Sequence, residues 1–155
     1  MRLLYAGFLH RMFYGSHVHV LDDKGRVSLP KDFRGALEKT KGSAWITAYR
    51  HCAVILTSDG FDEWRQQLAN RSDPRVERIS RIILGMASPC SVDRQGRFQI
   101  PPALRAHAGI ARDIVFVGVG NEIEVWDRGR YEVSLAESGE SFDSDRIEVL
   151  AGTDD

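Results

Sequence analysis

The chain is poor in the patterns that define several classes of protein. It has two cysteines, Cys52 and Cys90, among 155 residues, too few for a disulfide framework and without the paired spacing of a zinc knuckle. No run approaches the roughly 18 apolar residues that a membrane-spanning helix needs, and residues 1–11 are too short and mixed for a secretory signal. The sequence therefore predicts a cytoplasmic protein whose two thiols are buried.

A strong net charge is lacking as well, but the charge is unevenly spread. The formal total is −1, yet residues 1–57 carry 9 Lys and Arg against 4 Asp and Glu, and residues 128–155 carry 3 against 8. The acidic end therefore offsets the basic front only in the sum, and a local basic face is compatible with the composition. With 43% hydrophobic residues, the chain can bury a core as one domain or two small joined halves.

One segment of the sequence occurs twice. Residues 22–34 align without gaps on residues 93–105, 71 positions later, and Asp, Gly, Arg, Pro and a second Arg coincide. Apolar positions alternate in the same way in both copies, and a strand-like run precedes each of them. Gly25 and Gly96 supply the positive φ that a tight turn requires. Each copy therefore predicts a β-hairpin followed, after a proline, by a short helix.

Further elements follow in both halves. The alternation predicts strands at residues 44–49, 53–56, 114–119 and 122–126. Between the halves, two helices are predicted at residues 61–70, after Asp59 as N-cap, and at residues 74–84, after Asp73 as N-cap.

The residues that enzymes use are unconvincing. His17 and His19 share one face of a predicted strand and could begin a metal site if a third ligand joined them. A solvent-exposed face opposite Val18 and Val20 explains the same pattern without a further partner and is preferred. His51 beside Cys52 lacks an orienting third group. We therefore expect neither an enzyme nor a cofactor.

The doubled turn has two interpretations. Each Asp (Asp22, Asp93) can cap its turn while the Arg four positions later merely pairs with it at the surface, for under about 1 kcal/mol. Alternatively the Asp and Gly residues shape rigid loops that present side chains to phosphates or base edges. Repetition favours the second interpretation, because a solvated turn does not require the same Arg in both halves. The candidate DNA-binding residues are Lys24, Arg26, Arg94, Gln95 and Arg97, and the loop-shaping residues are Asp22, Gly25, Asp93 and Gly96.

These residues resemble the MraZ transcriptional regulators, which belong to the SpoVT/AbrB-like swapped-hairpin superfamily. The likeness covers approximately residues 12–134 and is carried by MFYG at 12–15, LDDKGR at 21–26, RIILG at 81–85, DRQGR at 93–97 and VGVGNEIEVWD at 117–127. It implies an α+β, mainly β fold in which two swapped-hairpin halves of one chain form a pseudo-twofold double-split β-barrel. Inserted and flanking helices complete that fold.

The resemblance also implies a function. It implies a nucleoid-associated, ring-like homo-oligomer that binds short direct repeats in the promoter of the division and cell-wall gene cluster, its own gene included, usually as a repressor. Arg26 and Arg97 inherit the DNA contacts. Two rival functions stay open: an antitoxin-like module docking a protein through the insertion helices or the acidic tail, and a metal-dependent hydrolase using His17 and His19.

The expected organisation has five segments. They are an N-terminal extension at 1–11, a first SpoVT/AbrB-like half at 12–57, a helical insertion at 58–85, a second half at 86–130, and a C-terminal helix or acidic flexible tail at 131–155.

Overall fold

Apolar alternation and proline-started segments build an α+β chain, as predicted. The computed structural model describes residues 12–151, and the extension at 1–11 lies outside them. The strands are β1 (Phe13–Val20), β2 (Arg26–Ser28), β3 (Trp45–Tyr49), β4 (Cys52–Leu56), β5 (Ser88–Pro89), β6 (Arg97–Gln99), β7 (Asp113–Gly120) and β8 (Glu122–Asp127). The helices are α1 (Lys31–Glu38), α2 (Ser58–Ala69), α3 (Pro74–Ile83), α4 (Pro102–Ala108), α5 (Arg128–Glu140) and α6 (Phe142–Ala151).

The sheet order mirrors the sequence repeat. Six strands form one antiparallel sheet in the order β1-β7-β8-β4-β3-β5, and β2 and β6 form a two-stranded ribbon. By position in the repeat, β1 corresponds to β5, β2 to β6, β3 to β7 and β4 to β8. Each half therefore lends its first strand to the other half, since β1 pairs with β7 and β5 pairs with β3.

This pairing corrects the predicted hairpins. The strands on the two sides of each turn do not pair with one another, although the Asp22 N–H donates to the Arg26 carbonyl at 2.8 Å to close the turn itself. Instead Val27 lies opposite Phe98 in the ribbon, flanked symmetrically by Arg26–Gln99 and Ser28–Arg97. The physical reason is burial: pairing across the halves leaves Val27 1% and Phe98 2% exposed.

The core is shared by both halves. Val27, Leu29 and Phe33 of the first half pack in one cluster with Phe98, Ile100 and Leu104 of the second. The same cluster includes buried residues of the large sheet, such as Ile46, Ile55, Phe116 and Ile123. Because Val27 and Phe98 of the two-stranded ribbon are packed into this core, the core holds the backbone of the ribbon in place.

The helices follow the predictions with small differences. Thr57, not Asp59, caps α2, because its Oγ1 accepts from the Gly60 N–H at 3.0 Å. Asp73 caps α3 and Pro74 begins it, as predicted. The acidic C-terminal region is helical through Ala151, and no described helix has the length and apolar character to cross a bilayer.

Candidate nucleic-acid interface

The first repeated turn, residues 22–26 (loop 1), is organised by one carboxylate. Oδ1 of Asp22 accepts from the backbone N–H groups of Lys24 (2.9 Å) and Arg26 (2.8 Å), and Oδ2 pairs with Arg26 Nε at 2.8 Å. Gly25, at φ 77°, donates its N–H to the Asp22 carbonyl at 3.1 Å. Asp22, at the start of the turn, therefore holds Arg26, at its end, through Nε.

The second turn, residues 93–97 (loop 2), repeats this geometry. Asp93 Oδ1 accepts from the N–H groups of Gln95 (2.8 Å) and Arg97 (3.0 Å), and Oδ2 lies 3.3 Å from Arg97 Nε. Gly96 has φ 79°. In both loops one aspartate accepts two backbone N–H groups and pairs with the arginine four residues later, an arrangement that we call the clamp. The ion pair is longer in loop 2.

Both clamping carboxyls titrate below their usual range. The backbone N–H of Arg26 is the main cause of the lowered pKa of Asp22, assisted by the Arg26 side chain and the Lys24 N–H. The backbone N–H of Arg97 likewise lowers the pKa of Asp93, followed by the Gln95 N–H and the charge of Arg97. Both aspartates are therefore ionised at neutral pH, and they shape the loops as anions.

The ribbon directs both arginines to one face. Val27 and Phe98 face the core, so the alternation along β2 and β6 places Arg26, Ser28, Arg97 and Gln99 together on the outer face. Ser28 and Gln99 are exposed there, and the side chains of Arg26 and Arg97 are 35% and 31% exposed. Arg26 and Arg97 are diagonal neighbours, about 7–8 Å apart at their Cα atoms.

The two loops lie at opposite ends of this ribbon. The Ile100 N–H donates to the Gly25 carbonyl and the Leu29 N–H donates to the Gly96 carbonyl, each at 2.9 Å. Leu29 therefore lies beside Gly96 of loop 2 and is four residues along the strand from Gly25 of loop 1. At about 3.3 Å per residue, the two loops are about 13 Å apart. The tip residues Lys24, Arg94 and Gln95 are all exposed.

Each loop is braced by the opposite half, and sequence reasoning gave these bracing residues no role. A Cβ built on Gly25 would lie 2.8 Å from Arg105 Cζ, and one on Gly96 would lie 2.6 Å from Arg34 Nη1. The side chain of Gln99 also donates from Nε2 to the Lys24 carbonyl at 3.1 Å. The signal was visible, because Arg34 and Arg105 are the second arginines that coincide in the repeat.

The histidine pair corrects an expectation. His17 and His19 share a face, as predicted, but that face is the half-buried one, whereas Val18 and Val20 are 51% and 53% exposed. Each imidazole packs edge-on against a core ring, His17 on Phe33 at 5.2 Å and His19 on Phe116 at 5.6 Å between centroids. Residues 12–151 contain no group of three or more His, Cys, Asp and Glu arranged to hold a metal ion.

The thiols are also placed in the core. Cys52 and Cys90 are both buried and free. Burial raises the pKa of Cys52, helped by the charges of Glu124 and Glu122, and burial raises that of Cys90 to about 12. Neither is therefore a thiolate at neutral pH, which agrees with the prediction of two buried hydrophobic side chains.

Comparison with known proteins finds one family and several relatives that carry the name transcriptional regulator. The profile of a family described as "MraZ protein, putative antitoxin-like" matches twice, at residues 12–82 and 83–149. A protein of Parafrankia sp. (strain EAN1pec) named transcriptional regulator MraZ is 39% identical over 91% of this chain and 99% of its own length. Proteins of the same name from Leifsonia xyli and Lachnoclostridium phytofermentans are 33% and 36% identical, over 91% and 78% of this chain and 99% and 85% of their own.

Proposed function

The chain belongs to the MraZ family, and on this premise we propose that it is a sequence-specific DNA-binding transcriptional regulator that contacts DNA through loop 1 and loop 2. Its relatives carry the name transcriptional regulator. In this proposal Lys24, Arg26, Arg94 and Arg97 bind phosphates or guanine edges, and Gln95 reads a base edge.

One observation carries the proposal: two clamped arginines share the outer face of a ribbon whose other face is core. The loops at its ends are about 13 Å apart, close to the roughly 12 Å width of the major groove of B-DNA, which admits a two-stranded ribbon. Because each aspartate holds its arginine by Nε, the side chain is ordered before DNA arrives. Less conformational entropy is then lost on binding.

We also propose a barrel architecture, an assembly and a DNA target for this regulator. The two halves, 12–57 and 86–130, form a swapped-hairpin double-split barrel, and the symmetric strand order supports that arrangement. The protein acts as a ring-like homo-oligomer, usually a repressor, on direct repeats in the promoter of the division and cell-wall cluster that includes its own gene. Repeated weak contacts then add through avidity.

A mobility-shift assay over a salt series tests the proposal, with the protein's own upstream promoter beside an unrelated duplex of equal length. We expect tighter binding to the promoter, and Arg26→Ala or Arg97→Ala should weaken it. If the lost contact is to a phosphate, the salt slope should fall by about one unit for each bound subunit.

The control for these variants is Arg128→Ala. Arg128 is an exposed arginine with the same i,i+4 ion pair, its Nε 3.3 Å from Glu132 Oε1, but it lies on α5. It should leave binding unchanged. Equal binding of both duplexes, or wild-type behaviour of both loop variants, would refute the proposal.

A further inference from the structure

We propose that Arg105 binds a DNA phosphate beside loop 1, at a site that the two halves build together and that lies outside the repeated Asp-x-x-x-Arg motif. The inference rests on the proposed DNA-binding function. Arg34 and Arg105 occupy equivalent positions in the repeat but differ in their contacts with the opposite loop.

Arg105 lies flat against loop 1. The Cβ position of Gly25 is 2.8 Å from Cζ, 3.0 Å from Nη1 and 3.2 Å from Nη2, three nearly equal distances. The plane of the guanidinium therefore covers the glycine, and its N–H groups point sideways along the loop rather than into it. Only a residue without a side chain at position 25 permits this approach.

Arg105 also has no anionic partner among the residues that the structure describes. Within residues 12–151 it forms no ion pair, and its buried Nε makes no hydrogen bond. The residue is only partly exposed, so water replaces these interactions poorly. Because Nε is buried, the terminal Nη1 and Nη2 of this partly exposed guanidinium are the donors that an anion with several oxygens could reach.

Arg34 is different although it occupies the same position in the first half. Its Nε lies 3.2 Å from Glu38 Oε1, and it meets the Gly96 Cβ position by one terminal nitrogen, at 2.6 Å, with Cζ farther away at 3.6 Å. The position equivalent to Glu38, 71 residues later, is Gly109, which has no side chain to neutralise Arg105. The anion site is therefore specific to loop 1.

A DNA phosphate suits the site better than a free anion because of its neighbours. Lys24 and Arg26 belong to the loop that Arg105 covers, and Gln99 of the ribbon's outer face bonds the Lys24 carbonyl. Loop 1 has Asp23 at the position where loop 2 has Arg94, so Arg105 supplies loop 1 with the additional cation that loop 2 has in its own sequence. A backbone phosphate reaching this corner would be contacted by both halves at once.

The test is DNA binding by the full chain over a salt series, read by fluorescence anisotropy on its own promoter duplex. Arg105→Gln should weaken binding at least about tenfold and lower the salt slope by about one unit for each bound subunit. Arg105→Lys keeps the charge and should keep most of the slope. Arg34→Gln, the matched control, should change the slope less because Glu38 already neutralises that charge.

Thermal unfolding of every variant separates a binding role from a bracing role. A wild-type slope in Arg105→Gln overturns the inference, and so does an equal loss in Arg105→Lys accompanied by a lower unfolding midpoint. Stabilisation of the wild type, but not of Arg105→Gln, by inorganic phosphate at fixed ionic strength, with no change in DNA binding, would assign the site to a free anion and overturn the DNA contact. If the wild-type protein binds neither duplex, the proposed function itself fails, which is a distinguishable result.

Discussion

Loop 1 and loop 2 are built on the same aspartate–arginine pair and differ in the side-chain contacts that the opposite half makes with each of them. Both hold an arginine against an aspartate four residues earlier, around a glycine at positive φ. Loop 1 has the shorter ion pair, a hydrogen bond from Gln99 to its tip and a flat guanidinium over its glycine. Loop 2 has the longer ion pair and an arginine brace that is itself tied to Glu38. The two copies of the repeat therefore share the ion pair that orients each arginine, and they differ in the contacts that hold the loop backbone.

The largest difference should appear when each glycine acquires a side chain. Alanine at a positive φ costs about 1–2 kcal/mol, and Gly25→Ala must also displace the whole guanidinium of Arg105. Gly96→Ala meets mainly one terminal nitrogen of Arg34, which can move aside. We expect Gly25→Ala to lower the free energy of unfolding more than Gly96→Ala, as measured by urea denaturation.

The reference for this pair is Gly15→Ala. Gly15 has φ 85° and open space around its Cβ position, so that variant reports the backbone cost alone. Equal losses in all three variants would show that the guanidinium contacts do not distinguish the loops.

A second difference should appear in acid. Because the pKa values of Asp22 and Asp93 are lowered in the folded protein, each contributes stability above the unfolded value of about 3.9. That contribution is lost as the pH falls through the folded pKa. Asp22→Asn and Asp93→Asn should each flatten the acid side of the stability curve. The effect should be larger for Asp22→Asn, because Asp22 lies 2.8 Å from both the backbone N and Nε of Arg26, whereas Asp93 lies 3.0 and 3.3 Å from those of Arg97.

Urea midpoints between pH 7 and pH 3 measure this effect. Asp23→Asn is the control, since Asp23 is exposed and accepts no hydrogen bond in the described part of the chain. If the urea midpoint of both aspartate variants fell with pH as steeply as that of the wild type, an ionised aspartate in the clamp would be contradicted.

The smallest difference concerns the tip of loop 1. Gln99→Ala removes the hydrogen bond to the Lys24 carbonyl and should cost about 0.5–1 kcal/mol. Hydrogen exchange should then rise at loop 1 amides and stay constant at loop 2. Ser28→Ala changes the equivalent position of the other strand and should leave hydrogen exchange unchanged in both loops. Faster exchange in both loops after Gln99→Ala would contradict a stabilising effect of Gln99 that is limited to loop 1.

The loops were predictable from sequence because their structure is local. An aspartate accepting nearby N–H groups and a glycine at positive φ act within five residues, so the repeat alone located the clamp. The pairing of β2 with β6 was not predictable, since the alternation of Val27, Ser28 and Leu29 fits any neighbouring strand. Its partner lies 71 residues away and is selected by the shared core.

Two further expectations failed for reasons of the same kind. Both Thr57 and Asp59 are good N-cap residues, and the end of β4 at Leu56 decides between them. In β1 the sequence offered alternating His and Val, and hydropathy favoured valine inside. The rings of Phe33 and Phe116 accept the imidazoles instead, a complementarity that exists only once distant elements have packed.

The exchange of first strands between the halves sets a schedule for biosynthesis. β1 pairs with β7, with Phe13 opposite Gly120, so the first long strand leaves the ribosome about 100 residues before its partner. At roughly 5–20 residues per second, that strand waits on the order of 5–20 s unpaired, with Val18 and Val20 on one face. The six-stranded sheet can therefore be completed only after the second half of the chain has left the ribosome.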